Sequence, residues 1–245
     1  RTGLNQPEAL RGLAGFARRT GNPDAAIWFG ERALAINPTC ENCIWQITEN
    51  LFYAGRFEEA IAAKKQFQVF GGGGFAHHAY MLLRMGQPDA ALEMIVEQES
   101  ENPASWLALK AMAYHALGDI DSVAESVAVL EAQENWNAQI QLAEFYAFTG
   151  DRDLAFAALD AALEMGARAW LVWHVFLPQW DNLRDDRRWV EVREKTGMPE
   201  EKTTVPEDIR LAYKILKNAD CLPPELELKK EIRNTQDLLS GMADT

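Results

Sequence analysis

Gly21-Asn22-Pro23-Asp24 is the first of five places where a glycine ends an apolar-periodic run and an acid follows three residues later. The others are Gly55-Arg56-Phe57-Glu58, Gly86-Gln87-Pro88-Asp89, Gly118-Asp119-Ile120-Asp121 and Gly150-Asp151-Arg152-Asp153. Successive glycines lie 34, 31, 32 and 32 residues apart. Each is preceded by about fourteen residues with apolar period near 3.6 and followed by a second such run. Glycine in a left-handed cap ends the first helix, and the Asn, Asp or Pro beside it starts the second. Pro38, the glycines at 71–74, Pro103 and Gly166 punctuate the units. The pattern predicts five helix–turn–helix hairpins, and a fixed period of this size is the mark of a solenoid.

The residues then resemble the tetratricopeptide repeat (TPR) family. Residues 7–40 offer Leu10, Leu13, Ala14, Ala17, Gly21, Ala26, Phe29, Ala33 and Pro38; residues 41–74 offer Ile44, Ile47, Thr48, Leu51, Gly55, Ala60 and Phe67. Residues 72–103 offer Phe75, Ala79, Leu82, Gly86, Ala91 and Pro103, and residues 104–135 offer Leu107, Ala111, Tyr114 and Gly118. Residues 136–166 offer Leu142, Ala143, Tyr146, Gly150, Ala155, Leu159 and Ala162. The resemblance covers residues 7–166 and implies an all-α solenoid that recognises proteins. Thr48 departs from it by replacing a small apolar residue, and the second unit ends in glycines rather than proline.

After Gly166 the period fails. A dense apolar run from Trp170 to Leu177 reads as a helix ending before Pro178. In Leu183-Arg184-Asp185-Asp186-Arg187-Arg188-Trp189, either aspartate can cap a helix that runs through Thr196 and stops at Gly197. The phrase resembles the ends of TPR regions in bacterial signalling proteins that carry an adenylate-cyclase or winged-helix domain. Equally, residues 167–199 read as capping helices over the open end of the solenoid. Residues 200–245 read as a helical tail of two helices, which can pack back on the solenoid or join two copies of the chain into a homodimer.

The 245 residues carry 24 Lys and Arg against 37 Asp and Glu, a net charge of −13. Residues 71–167 hold 3 basic and 15 acidic residues, so nearly all the excess sits on repeats three to five. Acidity disfavours nucleic acid and anionic membranes as partners, and no apolar run approaches the length of a membrane span. By the TPR resemblance most of these acids lie on second helices, facing outward. They read either as a solvated face or as a landing surface for a basic partner. The chain opens on Arg1, which suggests an excised or processed piece; the cytoplasm is the expected compartment, with the periplasm as the alternative.

The same resemblance places the first helices along an inner groove. Its lining is expected to include Arg11, Arg18, Trp45, Glu49, Phe52, Tyr53, Tyr80, Leu83, Arg84, Met112, His115, Ile140, Glu144 and Phe148, a mixture suited to a peptide or helix. The TPR clamp for acidic C-terminal peptides of chaperones is excluded. Its Lys, Asn and Arg positions hold Glu8, Gly15, Asn42 and Ser105.

Cys40-Glu41-Asn42-Cys43 straddles the first two repeats. A helix N-terminus stabilises thiolate, which gives a redox reading some basis. Two structural thiols packed between hairpins is the weightier expectation, and Cys221 alone cannot complete a metal site. The glycines at 71–74 lack the Lys-Ser/Thr of a phosphate loop and read as a loose joint. His77, His78, His115 and His174 show no metal spacing, and His78 falls on a core position. No nucleophile, cofactor loop or metal set appears. The expectation is a non-catalytic interaction scaffold without cofactor: the sensing segment of a larger bacterial signalling protein, or a stand-alone envelope adaptor, or a dimerisation module.

Overall fold

The computed structural model describes residues 6–69, 76–97 and 103–197. The joint at 71–74 and the tail at 200–245 lie outside the described residues. Gly21, Gly55, Gly86, Gly118 and Gly150 have φ of 75°, 70°, 71°, 80° and 86°. That region costs a residue with a Cβ about 1–2 kcal/mol. At the first four, the residue after the glycine donates its N–H to a carbonyl five residues back: Asn22 to Ala17, Arg56 to Leu51, Gln87 to Leu82 and Asp119 to Tyr114. This bond closes the outgoing helix.

Ten helices alternate around these turns: α1 (Pro7–Arg19), α2 (Pro23–Ile36), α3 (Glu41–Tyr53), α4 (Phe57–Val69), α5 (Ala76–Arg84), α6 (Pro88–Glu97), α7 (Pro103–Leu117), α8 (Ile120–Glu131), α9 (Trp136–Thr149) and α10 (Arg152–Glu164). Each odd helix pairs with the even one after it, and α1 meets α3, α5 meets α7 and α7 meets α9. Five hairpins are stacked in sequence order, and among the described residues there is no strand. Caps start the second helices where expected: the side chains of Asp119 and Asp151 accept from the N–H of Ser122 and Leu154, at 3.2 and 3.3 Å. Pro103 opens α7 rather than closing the third hairpin, because proline's missing N–H costs nothing at a first helical position.

The stack depends on small residues. Ala14, Ala26, Ala33, Ala60, Ala79, Ala91, Ala111, Ala143, Ala155 and Ala162 are all fully buried, which lets the backbones of neighbouring helices approach. Thr48 fits because its hydroxyl donates to the Ile44 carbonyl at 3.2 Å, which removes the cost of burying it. The first two hairpins are also joined by polar bonds. Gln46 Nε2 donates to Arg11 O and Asn50 Nδ2 to Ala26 O, both at 2.9 Å.

The apolar run after Gly166 is shorter as a helix than its composition suggests. α11 is Arg168–His174. Leu177 is extended at φ −61°, ψ 141° ahead of Pro178, and a 3-10 turn follows at Pro178–Trp180. Proline excludes its predecessor from helical geometry, and the chain bends there. α12 (Arg187–Thr196) begins at an Asp186 cap and ends at left-handed Gly197. It docks on α10 through Arg188 to Asp153 at 2.8 Å and Lys195 to Asp160 at 2.6 Å. Trp180 and Trp189, both buried, fill the space beneath.

Cys40 and Cys43 are joined by a disulfide, not packed as two separate thiols. A bridge between residues three apart closes a loop too short to restrain the unfolded chain by more than about 2 kcal/mol.

The same substitution at two helical glycines is expected to have opposite signs. Gly12 has open space where a Cβ would go, so Gly12→Ala gains about 0.5–1 kcal/mol from helix propensity. At Gly30 a Cβ would lie 2.8 Å from Ile47 Cγ1, and the overpacking outweighs that gain, for a net loss of about 1–2 kcal/mol. Urea midpoints of the two variants measure both.

Candidate functional site

Residues four apart on one helix share a face, and three odd helices use that spacing to aim polar groups inward. α3 presents Glu49 and Tyr53, α5 presents Tyr80 and Arg84, and α9 presents Glu144 and Phe148. Arg18 of α1 reaches Glu49 Oε2 at 3.4 Å, with side chains 10% and 9% exposed. His77 Nδ1 lies 3.0 Å from Glu49 Oε1, and its ring stacks on Phe52 at 4.1 Å. The Arg18 guanidinium sits 4.9 Å over the Tyr53 ring.

These groups are covered by the chain itself. Arg19 stacks over Trp173 at 4.0 Å, and a Cβ on Gly21 would lie 2.8 Å from the Phe176 ring. Arg84 Nη1 donates to Pro178 O at 3.4 Å, and Asn182 Nδ2 donates to Ala147 O. Residues 173–182 therefore touch the first, third and fifth hairpins and lie across the inner face. Their own turns are pinned from behind: Arg184 donates to Val175 O at 3.0 Å and Leu177 O at 2.9 Å, and Trp180 Nε1 to His174 O at 3.1 Å. His174 Nδ1 donates to Trp170 O at 2.7 Å, which fixes the proton on that nitrogen.

Burial sets the electrostatics. It would raise the Glu49 carboxyl, but His77 and Arg18 outweigh it and hold the group below its ordinary value. Glu144 has no such partner: no donor among the described residues bonds to it, and burial pushes its carboxyl up to about 7, opposed only by the charge of His77. Burial raises the Tyr80 phenol to about 12 and lowers the His174 imidazole. Between α4 and α5, Lys64 Nζ lies 3.0 Å from His78 Nδ1. Burial depresses both, Lys64 to about 8 and His78 to about 4.

Of the residues expected to line the groove, Arg18, Glu49, Tyr53, Tyr80, Arg84, Glu144 and Phe148 do converge on this face. Phe52, Leu83, Met112 and Ile140 are core side chains, at most 5% exposed. Trp45, Arg11 and His115 are exposed, His115 with its ring 6.4 Å from that of Phe148. The covering residues Trp173, Phe176 and Gln179, with His77 and His174, were not in the expected set. Their signal was the apolar density of residues 170–177 ahead of a proline. A cavity of about 270 Å³ remains where the cover meets Tyr80, Arg84 and Phe148. Among the described residues no cluster of His, Cys, Asp and Glu could hold a metal, and no helix is long and apolar enough to cross a membrane.

Glu144 makes stability pH-dependent. Its folded pKa lies above its ordinary 4.5, so the folded chain binds more protons than the unfolded one between about 4.5 and 7. The contribution is fully present below that window and is lost as pH rises through it. Glu49 runs the opposite way, stabilising above its ordinary range and failing on acidification. Glu144→Gln is expected to flatten the fall between about 4.5 and 7 and to be more stable above it by on the order of 2–3 kcal/mol. Urea melts across that range measure this, and an unchanged slope would contradict it.

Comparison with known proteins agrees with the hairpin stack. A crystal structure of a thermophilic TPR protein from Thermus thermophilus superposes with a TM-score of 0.50 at 22% identity, over 69% of this chain and 96% of that one. A tetratricopeptide repeat protein from Parabacteroides merdae gives a TM-score of 0.45 at 17% identity, over 92% and 96%. Residues 194–240 match the conserved domain of DnaJ homologue, subfamily C, member 28. The uncharacterised protein YhdN of Escherichia coli is 50% identical over 38 residues, which are 16% of this chain. The chain spans only 31% of that relative's length. The described residues have the TPR fold, an all-α solenoid of stacked helix hairpins.

Proposed function

We propose that the chain is a non-catalytic protein-interaction scaffold whose partner docks on the outer helices of the third and fourth hairpins. The observation that carries this reading is the occupied inner face: residues 173–182 already lie where a groove-binding peptide would go. The outer helices remain open. Asp89 and Glu93 of α6, and Asp121, Glu125 and Glu131 of α8, are exposed, with Glu134 just beyond. Among them Val96, Ile120 and Val129 are 57%, 67% and 45% exposed. A basic segment with interspersed apolar residues complements that surface in charge and in character. On the fifth hairpin, by contrast, Asp153 and Asp160 are engaged by α12.

The self-covered groove also favours a second reading, a sensing segment within a larger bacterial signalling protein. A partner that binds the inner face must displace residues 173–182, and displacement converts binding into a conformational signal. Residues 194–240 match a conserved domain of a DnaJ homologue, so the chain carries a segment of a second family beside its repeats, as a multi-part protein would.

The two readings separate on one titration, using a fluorescent amphipathic Lys/Leu peptide as probe. Docking on the outer face predicts binding that weakens roughly tenfold between low salt and ~0.5 M. It also predicts loss of binding in the combined variant Asp121→Asn, Glu125→Gln, Glu131→Gln, Glu134→Gln. Salt-insensitive binding that survives those changes and strengthens in Trp173→Ala would overturn the outer-face reading and favour the groove.

A further inference from the structure

The Cys40–Cys43 bridge plays no part in protein recognition as described above, and the joint it sits in does not need it. The first two hairpins are held together by Gln46 on Arg11 O, Asn50 on Ala26 O and the close approach of Gly30 to Ile47. The two sulfurs stand in unlike surroundings. Cys43 is 1% exposed inside the first turn of α3. Cys40 is the N-cap of that thirteen-residue helix, partly open to solvent. The Cys43 N–H donates to Cys40 Sγ at 3.2 Å. A thiolate on Cys40 would therefore keep a backbone hydrogen bond and the positive end of α3, countered in part by exposed Glu41. Exposed Ile36, Asn37, Pro38 and Thr39 lead into Cys40 and leave an approach from solvent.

We propose that Cys40-Glu41-Asn42-Cys43 is a thiol–disulfide exchange site for low-molecular-weight thiols and their disulfides, with Cys40 as the sulfur that meets the external reactant and Cys43 as the resolving sulfur. In the oxidising direction the Cys40 thiol gives up its proton and the thiolate attacks one sulfur of an external disulfide. A mixed disulfide forms on Cys40 and one external thiolate leaves. Cys43 then loses its proton and attacks Cys40 Sγ, forming the Cys40–Cys43 bond and releasing the second thiolate. The two protons end on the two released thiols, so one disulfide is reduced to two thiols as the protein dithiol is oxidised. Exchange with excess thiol runs the same steps backwards.

The test uses the full chain carrying Cys221→Ser, with glutathione and glutathione disulfide as the probe couple. Reduced Cys43→Ser is expected to gain one glutathionyl group by mass, and its remaining thiol to react at mildly acidic pH roughly tenfold or more faster than free cysteine. Reduced Cys40→Ser is expected to react far more slowly, because its thiol is buried. The protein with both cysteines is expected to release the glutathionyl group and return to the internal disulfide. Circular dichroism is expected to be unchanged between the reduced and oxidised forms. A Cys40 thiol no faster than free cysteine, equal reactivity of the two variants, or loss of helix on reduction would each overturn the proposal, the last by showing a structural staple instead. None of these readouts depends on which protein the scaffold binds.

Discussion

A helix hairpin of thirty-odd residues cannot bury its own apolar stripe, so it is stable only against a neighbour. The rest of this structure follows from that constraint. The left-handed glycines exist to fold each helix back on the one before it, and the buried alanines exist to let hairpins stack closely. Stacking does not remove the problem; it passes it to the ends of the stack and to the inner face. The chain answers both with one segment. α12 covers the last hairpin through ion pairs to α10 and two buried tryptophans, while residues 173–182 are laid back across the inner face as far as α1. The bend that allows both is the extended Leu177 ahead of Pro178.

Closure has an electrostatic consequence. Side chains that would be solvated in an open groove are taken out of water, and each carboxylate must then find a partner or keep its proton. Glu49 finds two, Arg18 and His77; removing either partner of such a buried pair costs about 3–5 kcal/mol. Glu144, on α9, finds none among the described residues and holds its proton to higher pH. Two carboxylates on one inner face thus respond to pH in opposite directions, and the difference comes from their neighbours rather than from residue type. A surface intended only for packing would be apolar here.

Much of the fold was legible because its determinants are local. Glycine spacing, the Asp and Asn caps and the alternation of small and large residues are each written within a few positions. Asp186 and Gly197 likewise mark α12 at the residues that bound it. Polar convergence was partly legible, since Glu49 with Tyr53 and Glu144 with Phe148 share helical faces by their spacing alone. What spacing could not reveal was the return of residues 173–182 to the first hairpin. The contact of Phe176 with Gly21 joins residues far apart in sequence, and no periodicity encodes it. Nor does helical spacing alone separate a groove position from a core one, and Phe52, Leu83, Met112 and Ile140 are buried. The disulfide was half legible: the cysteine pair is visible, but whether two sulfurs one helical turn apart are bonded depends on cap geometry.

This solenoid closes its own inner face, and the contact between Arg19 of α1 and Trp173 reports on that closure. Cysteines placed at Arg19 and Trp173, with Cys221→Ser and the native disulfide left oxidised, can be treated with a short bifunctional maleimide and analysed by mass. Efficient intramolecular cross-linking of these two sites is expected in the folded chain, lost on unfolding. A folded chain that carried only singly attached reagent at both positions would show that the inner face is open and would contradict it.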